Sequence, residues 1–128
     1  MRYLLDTHTY FWWKQDMDRL SVKVRELLAD PVNELILSVV TPWELAIKTN
    51  GAKLDASKLL RNFEERELAE GFSVLRPTAA QAIRSGLFPL YHKDPFDRLL
   101  AAQALDLRIP LVSRDPVFDL YGVKRIWN

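Results

Sequence analysis

Short apolar runs alternate along this chain with stretches of helical spacing, and each apolar run stops abruptly at a polar or acidic residue. RYLL (2–5) ends at Asp6-Thr7, ELILSVV (34–40) meets Thr41-Pro42, FSVLRP (72–77) meets Thr78, and IPLVSRD (109–115) ends on Asp115. GVKRIW, ending at Trp127, is a short fifth run. Runs of four to seven apolar and β-branched residues have the length and composition of buried strands. Between them lie TYFWWKQ, the segment behind Ser21, and the segment from Thr41 to Asn50-Gly51 with proline in its first turn. ASKLLRNFEERELAEG reads as one amphipathic helix with apolar residues at 59, 60, 63 and 68, and TAAQAIRSG and DPFDRLLAAQALDLR follow as helices. Strands that alternate with helices build an α/β fold with a mainly parallel sheet, here of four to five strands. The chain has 128 residues, the size of one domain, so a single unit over 1–128 is expected.

In parallel α/β sheets ligands bind beyond the carboxyl ends of the strands, which draws attention to the acids at those ends. Asp6 directly follows the first strand, Glu44 lies just after the second, and Asp115 follows the fourth. Asp97 opens the helix that feeds that last strand, three residues after Asp94. Taken singly, most have structural explanations. Thr41-x-x-Glu44 matches a capping box, and Asp94-Pro95 and Asp115-Pro116 match an N-cap followed by proline. Asp97 suits a first helical turn. Taken together, four acids on one sheet edge would raise one another's pKa unless a cation neutralised them. All-oxygen ligation is what Mg²⁺ and Mn²⁺ prefer, and such ions activate water in phosphodiester hydrolysis.

Composition narrows the chemistry. There are no cysteines, which removes disulfides, thiolate zinc sites and cysteine nucleophiles and suits a reducing cytoplasm. The two histidines, His8 and His92, do not make a zinc set and read as surface or partner-contacting residues. Net charge is +1, so any nucleic-acid contact must come from local patches such as Lys48, Lys53 and Lys58, or Lys124 and Arg125. No apolar run approaches the roughly 18 residues that span a bilayer, so no membrane association is expected. The cluster YFWW (10–13) exceeds what one small core absorbs, and an exposed remainder would mark an interface.

LLDTH at the start, TPWELAIK in the middle, then HKDPFDRLLAAQA and LVSRDPVFDLYGV resemble, in order and over essentially the whole chain, the PIN-domain ribonucleases, and most closely the VapC-type toxins. The resemblance implies a three-layer α/β/α sandwich, Mg²⁺ or Mn²⁺ held by an acidic quartet, endonuclease action on RNA, a homodimer, and a separate cognate antitoxin. By motif the quartet falls on Asp6, Glu44, Asp97 and Asp115, with Asp97 chosen over Asp94 because DRLLAAQA matches the phase of the family's small-residue helix. Asp94 then caps the helix behind the metal ligands. Thr7 and Ser113 match the hydroxyls flanking the first and last acids, and would orient carboxylates or form simple turns. Arg98 and Arg114 adjoin quartet acids and, with Lys48, are candidates for RNA contact; the arginines would equally serve to neutralise the acids. A competing reading keeps the fold but makes the acids helix caps in a non-catalytic binding module that acts by protein contact.

Overall fold

All 128 residues are described by the computed structural model, and the five apolar runs pair into one sheet. Strands β1 (Arg2–Leu5), β2 (Glu34–Ser38), β3 (Ser73–Leu75), β4 (Leu111–Val112) and β5 (Arg125–Ile126) lie in the order β3-β2-β1-β4-β5. Every neighbouring pair is parallel. Helices α1 (Thr7–Gln15) and α2 (Val22–Ala29) join β1 to β2; α3 (Val40–Asn50), α4 (Ser57–Leu60) and α5 (Phe63–Ala69) join β2 to β3. Helices α6 (Ala79–Leu87) and α7 (Pro95–Leu107) lead to β4, and a 3-10 turn over Pro116–Tyr121 leads to β5.

Successive strand side chains point to opposite faces, and here both faces are buried. Leu5, Leu35, Leu37 and Val112 pack with Tyr10, Val24, Leu45 and Phe63 on one side. Leu4, Ile36 and Leu111 pack with Leu100, Ala101, Ala104 and Phe118 on the other. The alanines of α7 let that helix lie close against the sheet. This is the expected three-layer α/β/α arrangement, and it explains why the strand runs are continuously apolar and not alternating. No helix is long and apolar enough to cross a membrane.

Two local expectations fail for identifiable reasons. The second strand stops at Ser38, whose Oγ accepts the Val40 N–H at 3.1 Å and starts α3 ahead of Thr41. Residues 56–71 form two short helices instead of one, broken at Asn62, which takes a left-handed φ of 48°. The Arg66 guanidinium donates to the Lys58 and Arg61 carbonyls at 3.1 and 2.7 Å, satisfying groups that a continuous helix would have bonded internally. Glu67 beside it is fully buried and pairs with Lys14 Nζ at 3.0 Å and Arg66 Nε at 3.1 Å. The break is thus set by a buried ion network between α1 and α5.

The sheet order has one further consequence. From β1 the chain moves outward to β2 and β3, then returns across the other face to β4 on β1's opposite side. The crevice beyond the carboxyl ends of β1 and β4 is therefore the topological switch point, where open α/β sheets bind ligands.

Helix α7 ends on Arg108, an exposed residue in the left-handed region at φ 55°, ψ 44°. Glycine adopts that conformation without the Cβ penalty. Arg108→Gly should raise stability by about 0.5–1 kcal/mol, part of the steric gain being offset by greater unfolded-state freedom. Urea denaturation checks this: the midpoint should rise with an unchanged slope.

Candidate functional site

The switch-point crevice gathers the acids. The Asp6 N–H bonds the Val112 carbonyl at 3.0 Å, fixing the start of α1 to the end of β4. Asp6 occupies the N-cap position of α1, yet its carboxylate caps nothing. Its Oδ2 accepts from the Ser113 hydroxyl at 2.8 Å, and its buried Oδ1 has no partner. Glu44 lies in the second turn of α3 because that helix begins early. The capping box anticipated for Thr41 and Glu44 does not form: the Thr41 hydroxyl meets Thr7 at 3.3 Å. Glu44, only 1% exposed, pairs through Oε2 with Lys48 at 2.7 Å and leaves Oε1 buried and unpartnered.

Asp97 enters from the first turn of α7, with Pro95 ahead of it, and is 8% exposed. Asp94 performs the capping, its Oδ1 accepting the Phe96 N–H at 2.8 Å. Asp115 opens the 3-10 turn after β4; its Oδ1 accepts the Val117 N–H at 3.0 Å and its Oδ2 faces the crevice. The Ser113 hydroxyl accepts the Asp115 N–H at 3.1 Å while donating to Asp6, so one buried side chain holds two acids in register.

The acids sit in one another's field. Burial lifts the Asp6 carboxyl above its ordinary range and Glu44 adds repulsion, against opposing contributions from His8 and the Ser113 hydrogen bond. Asp97 is pushed up to about 9, first by burial and then by Asp6, Asp94, Glu44 and Asp115. Three acids of the anticipated quartet thus act on the fourth, a convergence that helix capping does not explain.

Sequence reasoning missed one member. His92, anticipated at a surface, places Nε2 2.9 Å from Asp97 Oδ2 and 2.9 Å from Asp115 Oδ2. Its Nδ1 accepts the Asp94 N–H at 3.3 Å, so the neutral ring carries its proton on Nε2, facing both carboxylates. The only available signal was its position two residues before Asp94 on the approach to α7. His92, Asp97 and Asp115 together present ligand atoms within 4.8 Å of one another.

The remaining candidates divide. Arg98 donates through Nη1 to the His92 and Lys93 carbonyls at 2.9 and 3.0 Å, so it braces the loop that carries His92. Lys48 is engaged by Glu44. The Thr7 hydroxyl is buried against that of Thr41 and bonds no acid, while the Thr7 backbone N–H reaches Asp6. Arg114 is exposed, with no hydrogen bond or ion pair.

Comparison with known proteins bears on this arrangement. The family model of the PIN domain matches residues 3–124. A curated relative, ribonuclease VapC22 of Mycobacterium tuberculosis, is 26% identical over 113 residues, covering 88% of this chain and 85% of its own length. Among solved structures, VapBC2 from Rickettsia felis bound to a promoter DNA fragment aligns over 100% of both chains at 17% identity, with a TM-score of 0.69. DNA-bound VapBC from Salmonella typhimurium aligns over 98% of this chain and 97% of its own at 20% identity, with a TM-score of 0.64. At these identities the solved structures speak to the fold.

The raised Asp97 pKa carries a stability consequence. Between the ordinary carboxylate range near 3.8 and about 9 the folded chain holds a proton that the unfolded chain has lost. Stability conferred by that proton is complete at low pH and is lost as pH rises through this window. Asp97→Asn, which cannot ionise, should therefore raise the melting temperature in EDTA, by roughly 3–6 °C per kcal/mol relieved. The gain should be larger at pH 8 than at pH 5 in differential scanning fluorimetry; an equal gain at both would contradict the raised Asp97 carboxyl.

Proposed function

The chain belongs to the PIN domain family, and from that premise we propose that it is a metal-dependent endoribonuclease, the toxin of a toxin–antitoxin pair, acting in the cytoplasm and neutralised by a separate antitoxin. One observation carries the reading. Asp6 Oδ1 and Glu44 Oε1 are buried carboxylate oxygens without a partner, beside Asp97, whose pKa burial first and the neighbouring acids next push up to about 9. Buried unpaired charge is costly, and a hard cation with oxygen ligands relieves it.

The donor set fits Mg²⁺ or Mn²⁺, with Asp6, Glu44, Asp97 and Asp115 as the residues that would hold the ion. Such an ion supplies Lewis-acid stabilisation of the phosphoryl charge and lowers the pKa of a water for in-line attack. The chain's own residues do the rest. Ser113 orients Asp6 and fixes the Asp115 backbone, Lys48 restrains one Glu44 oxygen and leaves the other directed inward, and Arg98 braces the loop that presents His92. His92 Nε2–H is aimed at the acids and takes up part of their negative charge. No serine, threonine or cysteine nucleophile is needed, because the attacking group is water.

The binding-module alternative makes the acids helix caps. Asp94 and Asp115 do cap, but Asp6 forms no side-chain cap bond and Asp6 and Glu44 each keep a buried carboxylate oxygen unpartnered, which tells against that reading. For partners, the similar VapBC structures support an antitoxin, and the homodimer implied by the family resemblance would need an exposed apolar face, toward which Ile83 and Leu87, one turn apart on α6, are both exposed. The YFWW cluster does not supply such a face by itself: Tyr10 is fully buried, and Phe11, Trp12 and Trp13 are half-buried against the core.

Asp6→Asn and Asp97→Asn should each abolish cleavage of total RNA, by at least about 10³-fold, with an unchanged circular dichroism spectrum. Ser113→Ala should lower activity about 10–100-fold, the usual cost of losing a residue that orients a ligand. EDTA should stop the reaction and added Mn²⁺ restore it. Full activity in both aspartate variants refutes the site.

A further inference from the structure

The turn that follows β4 reads Asp115-x-x-Phe118-x-x-Tyr121. It is the 3-10 turn over Pro116–Tyr121, with Asp115 at its N-cap, and at about three residues per turn side chains three apart lie one above the other. Asp115, Phe118 and Tyr121 therefore share a face, and every one of them meets His92. Asp115 Oδ2 lies 2.9 Å from His92 Nε2, and the buried Phe118 ring stands 6.0 Å from the imidazole between centres. The Tyr121 hydroxyl accepts the His92 N–H at 2.9 Å and donates to the Pro89 carbonyl at 2.6 Å.

The loop of residues 88–94, between α6 and α7, is thereby stitched to the turn. Phe88 and Tyr91 pack on the Tyr121 ring at 4.9 and 5.3 Å, and Arg98 Nη1 holds the His92 and Lys93 carbonyls from the α7 side. What the stitching fixes is the imidazole. Its Nδ1 accepts the Asp94 N–H at 3.3 Å, so Nε2 carries the proton, and that nitrogen also stands 2.9 Å from Asp97 Oδ2. Ser113 ties Asp6 to Asp115 but does not reach Asp97, whose carboxylate meets no donor other than His92. His92 is thus the link between the acid on α7 and the acid on the turn. A nitrogen that carries a proton does not coordinate a metal. Any buried tyrosine hydroxyl needs a partner; here the partner is the backbone of the residue that bridges two acids.

We propose that Tyr121 is a positioning residue of the acid site: acting through His92, it sets the spacing of Asp97 and Asp115, and His92 serves there as a proton-bearing donor and not as a metal ligand. The inference rests on the cation-binding reading above and names the residues that assemble that site before a cation arrives.

Calorimetric titration of Mn²⁺ and proton–nitrogen correlation spectra of the imidazoles test it together. Tyr121→Phe should weaken Mn²⁺ binding about tenfold and His92→Ala about 10–100-fold, the range for residues that orient a ligand. His92→Gln, whose side-chain N–H reaches the place of Nε2–H, should return the affinity to within about threefold of the unmodified chain. Tyr121→Phe added to His92→Ala should cost less than about twofold more, because the hydroxyl acts only through His92. Asp119→Asn loosens the same turn by removing its pair with Arg125, and should leave Mn²⁺ affinity within about twofold. In mildly alkaline buffer the His92 resonances, assigned by their loss in His92→Ala, should show the proton on Nε2 both without and with Mg²⁺. Tyr121→Phe keeps its ring and the packing around it, so it carries the test with His92→Gln if His92→Ala loses its fold.

Unchanged or tighter Mn²⁺ binding in Tyr121→Phe overturns the proposal. So does a proton that moves to Nδ1 when Mg²⁺ is added, which would make His92 a ligand, or an unmodified chain that takes up no Mn²⁺. Weakened Mn²⁺ binding in Tyr121→Phe, with no RNA cleavage by the unmodified chain, would remove the endoribonuclease reading and leave the positioning role standing. Cleavage of RNA by a chain whose Mn²⁺ affinity ignores Tyr121→Phe would do the reverse.

Discussion

Everything at the functional end of this molecule follows from carboxylates buried faster than their charge is neutralised. Asp6, Glu44 and Asp97 are almost completely covered, and only part of their charge meets a donor inside the chain. Ser113 serves one oxygen of Asp6, Lys48 one of Glu44, and His92 is shared between Asp97 and Asp115. What is left over is negative potential focused on one crevice, where Asp97, through burial first and its neighbours' charge second, has its carboxyl pushed up to about 9. Proteins accept such a cost at sites where function requires the strain.

The rest of the fold holds that cluster together. Because β4 returns to the far side of β1, the two strand ends stand side by side, and the Asp6 N–H to Val112 bond clamps them. The early start of α3 turns Glu44 inward one helical turn beyond the strand end. The alanine-rich face of α7 brings Asp97 close to the sheet, while Asp94 takes the capping duty that would otherwise have engaged it. Two acids three residues apart at one helix start thus divide two tasks, one local and one long-range.

Much of this was legible in the residues. The apolar run ending at Asp6 marked the end of β1, the run ending at Asp115 marked β4 although that strand closes at Val112, and strand–helix alternation pointed to the parallel sheet, because these depend on local composition and period. Where reasoning fell short, the deciding contacts are distant in sequence. The break at Asn62 is set by Arg66 reaching back to the Lys58 and Arg61 carbonyls and by Glu67 meeting Lys14 from another helix. The capping motif at Thr41 gave way to a hydroxyl contact with Thr7, 34 residues away. His92 belongs to the site only because α7 and the turn after β4 converge on it. Arg98 and Arg114 look equivalent in sequence, each beside an acid, yet Arg98 braces two backbone carbonyls through Nη1 and Arg114 makes no such bond. Side-chain allegiance of that kind is decided by tertiary packing.

The central claim is that the four carboxylates form a site for a divalent cation, and calorimetric titration of Mn²⁺ into the chelator-stripped protein tests it most directly. Run near pH 7 in two buffers of different ionisation enthalpy, the titration should show saturable binding with release of about one proton, the one that Asp97 holds until the cation displaces it. A folded protein that takes up no Mn²⁺, or takes it up without releasing a proton, would contradict the account.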